Sequence, residues 1–280
     1  MKAKIIFFGS DQYSLIVLER LYQDKRFSVV AVVTLPTAEM VRKFSQKNKI
    51  PQVDAKTENL INALKNLTSD VGVLASFGKI IPGKMLAIPR RGILNIHPSL
   101  LPKYRGPAPA QAAILNGDKE IGATIIKMDE KIDHGPIVAQ FREVIQPDDT
   151  AESLYKRLFT AGAEVLTTIL PAYLEGRIEL REQDHLKATF TKKLTRADGK
   201  IDWSQPDDYL ERFIRAMSSW PGAWTLLRPR ATEGQTKRLK ILKAHLENGK
   251  LVLDQVQLEG KKPVTWKQFQ EGYPEAKIIS

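Results

Sequence analysis

Three short runs of almost unbroken apolar residues, Lys4–Phe8, Val29–Val33 and Val71–Ser76, narrow the fold more than any other feature. A strand with one wet face alternates apolar and polar residues, whereas a run without alternation is buried on both faces, as in a parallel sheet covered by helices. Between the first two runs Leu15, Val17, Leu18, Leu21 and Tyr22 recur at helical spacing, which makes a βαβ unit. Glu39–Lys47 and Leu60–Leu67 read as further amphipathic helices, with Pro51-Gln52-Val53 a short strand between them. The expected architecture is α/β, a Rossmann-like open sheet. Its first turn, Gly9-Ser10-Asp11, holds a single glycine, so the GxGxxG dinucleotide fingerprint is absent, and so is a P-loop.

The fifth strand is expected at Gly92–His97, running into Pro98-Ser99-Leu100-Leu101-Pro102 and Lys103-Tyr104-Arg105-Gly106-Pro107. Asn95 and His97 stand two residues apart, so on a strand they emerge from one face, and Pro98 biases His97 toward an extended backbone. Polar groups at the carboxyl end of a strand are where open α/β sheets bind ligands. Phe77-Gly78-Lys79-Ile80-Ile81-Pro82 is a second strand–loop junction of that kind, with a helical turn from Pro82 to about Ile88. A helix at Ala108–Leu115 follows, then strands at Gly122–Met128 and Ile137–Phe141 around an acidic crest. Thr150 is a plausible N-cap for a long helix ending near Gly176, with Ser153 leaving its capping box incomplete.

From Asp184 the composition turns basic, with Lys187, Lys192, Lys193, Arg196 and Lys200 in quick succession. The expected division is residues 1–183 as one domain, 184–203 as a connector, and 204–280 as a second domain. In that last part a short helix around Glu211–Arg215 precedes four strand-like pieces, Ala223–Leu227, Leu239–Leu246, Leu251–Leu258 and Pro263-Val264-Thr265. Asn248-Gly249 is a hairpin signal, and the broken alternation after Leu251 suggests a bulge. A small OB-like β-barrel is expected.

Charge and cysteine content bear on partners and chemistry. The 43 Lys and Arg against 32 Asp and Glu give a formal charge of +11, which favours a polyanionic partner, nucleic acid before membrane. No apolar run is long enough for a membrane helix, and the opening residues read as a first buried strand rather than a targeting segment. The chain has no cysteine, which excludes disulfides, thiolate metal sites and thiol catalysis and fits a cytoplasmic location. His134, His185 and His245 lack metal-ligand spacing, so no metal is expected. Ser99 has no GxSxG around it and is not expected to be a nucleophile. Trp220 and Trp224 are expected to pack around Pro221 rather than stack on bases.

Asn95, His97 and one carboxylate from the crest can form a catalytic group. Asp133, just before His134-Gly135-Pro136, is the choice, with Asp129, Glu130 and Asp148 as competitors. A carboxylate beside an imidazole orients it and favours its charged form, and an amide offers donors to a developing oxyanion. The alternative is structural: strand-end Asn and His often satisfy loop backbone, and an Asp before a turn often closes an Asx-turn.

The run Asn95-Ile96-His97-Pro98-Ser99-Leu100-Leu101-Pro102-Lys103-Tyr104-Arg105-Gly106, followed by Asp133-His134-Gly135-Pro136, resembles the folate-dependent formyltransferase superfamily. Lys193-Leu194-Thr195, Asp198–Trp203 and Arg215-Ala216 through Trp224 resemble the branch whose acceptor is initiator methionyl-tRNA. The resemblance implies Asn95, His97 and Asp133 as the catalytic set and 10-formyltetrahydrofolate as co-substrate. It implies a donor site at Phe77, Gly78, Lys79, Ile80, Ile81, Leu86 and Met128, with Ser99, Leu100, Leu101 and Pro102 as a folate-contacting turn. The basic residues Arg42, Lys192, Lys193, Arg196, Lys200, Lys237 and Arg238, joined by Lys187, Arg228, Arg230 and Lys240, are expected to follow a tRNA phosphate backbone, the alternative being a merely solvated surface. A monomer without membrane attachment is expected. That branch carries a basic, glycine-containing loop after its second strand; here Thr34-Leu35-Pro36-Thr37 passes directly into Ala38–Lys43. A formyltransferase for an amino-sugar nucleotide and a non-catalytic RNA-binding protein are the rival expectations.

Overall fold

The computed structural model describes residues 1–57, 59–228 and 236–279. The chain divides into two compact units, one of residues 1–109, 120–144 and 155–191, the other of residues 110–119, 145–154 and 192–280.

The first unit is built on a seven-stranded sheet. In chain order its elements are β1 (Ala3–Phe8), α1 (Gln12–Gln23), β2 (Phe27–Thr34), α2 (Glu39–Lys47), β3 (Gln52–Asp54), α3 (Leu60–Lys65), β4 (Val71–Ala75), α4 (Gly83–Leu86), β5 (Ile93–His97), α5 (Pro109–Leu115), β6 (Glu120–Lys127), β7 (Ile137–Val144) and α6 (Ala151–Leu174). α5 and the start of α6 group with the second unit. The strand order is β3-β2-β1-β4-β5-β6-β7. β1 to β5 are parallel, and β6 and β7 run antiparallel to their neighbours. The three unalternating runs are indeed covered on both faces: Ile5, Ile6, Phe7, Phe8, Val32, Val33, Val71 and Val73 are fully buried. Each such side chain contributes roughly 1.5–3 kcal/mol on burial, which is why these segments hold the centre of the sheet.

The chain leaves β1 toward β2 on one side and returns to β4 on the other. Crossovers diverge there, opening a crevice at the carboxyl ends of the central strands. β5, the strand that bears Asn95 and His97, lies beside β4 at that end. Two helix starts in this unit's elements are capped by side chains. Asp11 accepts from the Tyr13 and Ser14 amides, and the Ser14 hydroxyl closes the box. The capping box expected to be incomplete at Thr150 is closed: the Ser153 amide donates to Thr150 Oγ1 at 3.1 Å and the Thr150 amide to Ser153 Oγ at 3.0 Å. A serine hydroxyl substitutes for the longer glutamate because it lies within reach of the amide without a stem.

The second unit carries α7 (Asp207–Ala216), β8 (Ala223–Arg228), β9 (Lys237–Glu247), β10 (Lys250–Leu258), β11 (Val264–Thr265), α8 (Trp266–Gly272) and β12 (Lys277–Ile279). The sheet is antiparallel in the order β11-β10-β9-β8-β12, the small β domain expected after the α/β domain. Leu210, Phe213 and Ile214 of α7 share one core with Leu239, Ile241, Val256 and Phe269. The Asn248-Gly249 turn has φ of 50° and 76°, as a type I′ hairpin requires. The pairing of β10 with β9 shifts register around Asp254 and Gln255, where the alternation breaks. α8 and β12 escape the sequence reading. Trp266, Phe269 and Tyr273 stand at helical spacing, and a Thr265–Gln268 capping box starts the helix there.

Candidate active site

Asn95 and His97 leave the same face of β5 and are nearly buried, 8% and 4% exposed. His97 Nε2 lies 2.9 Å from the Tyr104 carbonyl oxygen. A carbonyl only accepts, so Nε2 carries a proton and Nδ1 is the ring atom left for proton exchange. Nδ1 faces Asp133 Oδ1 at 3.4 Å, and Asn95 Nδ2 donates to the same oxygen at 3.3 Å. The other carboxylate oxygen, Oδ2, accepts the Gly106 amide at 2.8 Å. Asp133 sits at φ 49°, in the left-handed region that Asp tolerates better than most residues. The structure thus brings Asn95, His97 and Asp133 around one point. The competing acids are elsewhere occupied or exposed: Asp129 Oδ2 holds His134 Nδ1 at 2.6 Å, and Glu130 and Asp148 face solvent.

Sequence reasoning missed the frame that holds these groups. Arg105 is 4% exposed, and its Nε and Nη2 donate to Gln183 Oε1 at 3.3 and 2.7 Å. Its Nη2 also lies 2.8 Å from His185 Nδ1. Burial lowers the Arg105 pKa, and the nearby carboxylates of Asp133 and Asp129 work against that shift. Gln183 Nε2 donates to the carbonyls of Asp133 at 2.9 Å and Gly135 at 2.7 Å. The Arg105 and Tyr104 amides donate to Thr189 O and Oγ1 at 2.8 Å each. Gly106 has φ 105°, and a Cβ there would lie 2.6 Å from Thr191 O. Residues 184–191, expected in the connector, therefore pair alongside Arg105. His134 and His185 stack with centroids 3.9 Å apart. Burial, then His134 and Arg105, lower the His185 pKa. The Lys103–Gly106 run was visible as part of a motif; nothing marked Gln183.

Of the donor-site expectations, Phe77, Ile81, Leu86 and Met128 join one apolar cluster with Phe8, Leu74, Met85 and Ile93. Gly78, Lys79 and Ile80 are exposed, and Lys79 Nζ donates to Ala55 O at 2.7 Å. Beside that cluster the loop backbone at Gly78 meets open space. Ser99 is fully buried, and its hydroxyl donates to Lys103 O at 2.6 Å, so that side chain is spent inside the turn. Leu101 packs with Ile126 and Ile137, and its carbonyl accepts Gln140 Nε2 at 3.0 Å. Leu100 and Pro102 are half-buried, and the Pro102 carbonyl accepts the Thr189 amide at 3.2 Å.

Among the basic residues, Lys193, Arg196, Lys200 and Lys240 are exposed. Lys192 is paired with Asp198, whose pKa that contact depresses first of all. Arg42 and Lys237 are half-buried, and the Arg238 guanidinium covers the Trp224 ring at 4.4 Å. Arg228 is exposed at the end of β8, and Arg230 lies outside the described residues. Trp220 is 51% exposed rather than packed away, while Trp224 Nε1 donates to Arg196 O at 2.8 Å. Among the described residues no group of three metal-ligating side chains occurs, and no helix is long and apolar enough to cross a membrane.

The sequence model of the formyl transferase family matches residues 3–170, and that of its C-terminal domain matches residues 193–251. A methionyl-tRNA formyltransferase from Roseiflexus sp. strain RS-1 is 45% identical over 241 residues, covering 81% of this chain and 74% of that one. Its counterpart from Roseiflexus castenholzii is 39% identical over 302 residues, covering 97% and 96%. A solved N-formyltransferase from Helicobacter canadensis superimposes with a TM-score of 0.68 at 18% identity, over 95% of this chain and 99% of that one, a likeness of fold. Two family models in tandem, near end-to-end relatives and a strand-end Asn-His-Asp cluster agree: the chain belongs to the formyl transferase family.

Proposed function

We propose that this protein is a methionyl-tRNA formyltransferase, moving the formyl group of 10-formyltetrahydrofolate to the α-amino group of methionine on initiator tRNA. The observation that carries the proposal is the meeting of Asn95 and His97 on one oxygen of Asp133 in a chain 39% identical, over 97% of its length, to an enzyme of that name. The folate co-substrate supplies the formyl carbon; the chain's own side chains supply position and field. Asn95 donates toward the formyl oxygen as negative charge grows on it. His97, with Nε2 anchored to Tyr104, presents Nδ1 to the reacting groups. Asp133 orients that ring and takes the proton the attacking amine releases, directly or through His97 or water. The separations of 3.3–3.4 Å are loose for hydrogen bonds, and catalytic contacts of this length commonly tighten once substrate is bound.

Within this proposal the apolar cluster of Phe77, Ile81, Leu86 and Met128, the exposed edge at Gly78–Ile80 and the backbone of the Ser99–Pro102 turn hold the donor. Lys193, Arg196 and Lys200 follow the phosphate backbone, with Arg42, Lys192, Lys237 and Arg238 as supporting charges. Residues 1–183 act as the catalytic domain and 204–280 as the tRNA-binding domain, in a cytoplasmic monomer. The test is formyl transfer to methionyl-tRNA, free methionine and an amino-sugar nucleotide in parallel. Charged tRNA is expected to be formylated well above the other two, and its reaction to weaken steeply as salt rises. Equal transfer to free methionine or to the sugar nucleotide would contradict the assignment.

A further inference from the structure

A guanidinium as buried as that of Arg105 must have its donors met, because an unpaired buried charge is strongly disfavoured. The described partners it meets by hydrogen bond are neutral: Gln183 Oε1 and His185 Nδ1. The charge decides which way the Gln183 amide points. With its oxygen drawn to the guanidinium, the NH2 end must face the opposite side, and there it donates to Asp133 O at 2.9 Å and Gly135 O at 2.7 Å. Those two carbonyls hold the chain on the C-terminal side of Asp133, which has φ 49°.

Three consecutive residues thereby address three parts of the transfer site. The Tyr104 carbonyl fixes His97 Nε2, the Arg105 side chain fixes the Asp133 backbone through Gln183, and the Gly106 amide fixes the Asp133 carboxylate. We infer that Gln183 is a positioning residue for formyl transfer: oriented by Arg105, it sets where the Asp133 carboxylate stands relative to Asn95 and His97. The inference rests on the formyl-transfer reading of this site. Gln183 reaches no reacting atom in this scheme; it acts through Asp133.

Gln183→Glu separates positioning from anchoring. The variant keeps an acceptor for Arg105, now as an ion pair, and replaces the NH2 donor with an oxygen facing two carbonyls. With wild-type protein assayed alongside, kcat is expected to fall about tenfold or more, with KM for 10-formyltetrahydrofolate within about twofold in a protein that still unfolds cooperatively. Arg105→Lys, which keeps the charge and loses the planar fork, is expected to give the same selective loss in kcat. Turnover within about twofold of wild type in Gln183→Glu overturns the inference. So does a loss of kcat that comes with a raised KM and a lowered midpoint, or failure of both variants to fold, since either marks a structural anchor only. Absence of formyl transfer by the wild-type protein would instead overturn the functional proposal beneath it.

Discussion

Tyr173 on α6 illustrates how one buried polar atom ties stability to pH. It is 7% exposed, its hydroxyl donates to Arg91 O at 2.6 Å, and burial pushes its pKa up to about 12. The folded chain therefore holds the phenol proton more tightly than the unfolded chain, whose tyrosines titrate near 10. The stabilisation is complete below about pH 10 and is lost as pH rises through about 12. Tyr173→Phe is expected to cost about 1 kcal/mol at neutral pH, from the lost hydrogen bond. It should also flatten the alkaline limb of the stability profile, which urea unfolding across that range will show. Around the transfer site, single residues also explain what the sequence concealed. Asn95 and His97 declare themselves by spacing, because strand periodicity is local. Gln183 lies 50 residues beyond Asp133, and no local pattern distinguishes it from a surface glutamine.

At the scale of elements, the parts with a strong period or a strong punctuation mark were legible. The buried runs of β1, β2 and β4 and the hairpin between β9 and β10 fall where pattern places them. The hairpin depends on residues that accept positive φ, so Gly249→Ala, at φ 76°, is expected to destabilise by roughly 1 kcal/mol. Denaturant unfolding should show that loss with the rate at saturating tRNA unchanged, since every residue assigned to catalysis or donor binding lies before residue 134. α8 and β12 were missed because each is short, seven and three residues, too few for a period to stand out. The α7 helix extends four residues before Glu211, where Pro206 at the N-cap and Asp207 and Asp208 in the first turn stabilise its start. Ser99 shows the opposite failure. A polar residue in a motif reads as a ligand contact, yet its hydroxyl is enclosed by the turn it closes.

For the molecule as a whole, the net charge of +11 favours a polyanionic partner, and two family models match in tandem along most of the chain. The basic insertion expected after β2 is absent, since α2 begins at Glu39, five residues after β2 ends at Thr34. On the proposed function, acceptor recognition falls to other surfaces, and Lys193, Arg196, Lys200, Arg228 and Lys240 are exposed among the described residues singled out above. The central claim is narrower than recognition: three polar side chains at the rim of β5 carry out the transfer. Its most direct measurement is single-turnover formylation of methionyl-tRNA at saturating 10-formyltetrahydrofolate by the wild type, Asn95→Ala and His97→Ala. Both variants are expected to be slower by about 100-fold or more with donor affinity retained; rates within a few-fold of wild type would contradict the claim.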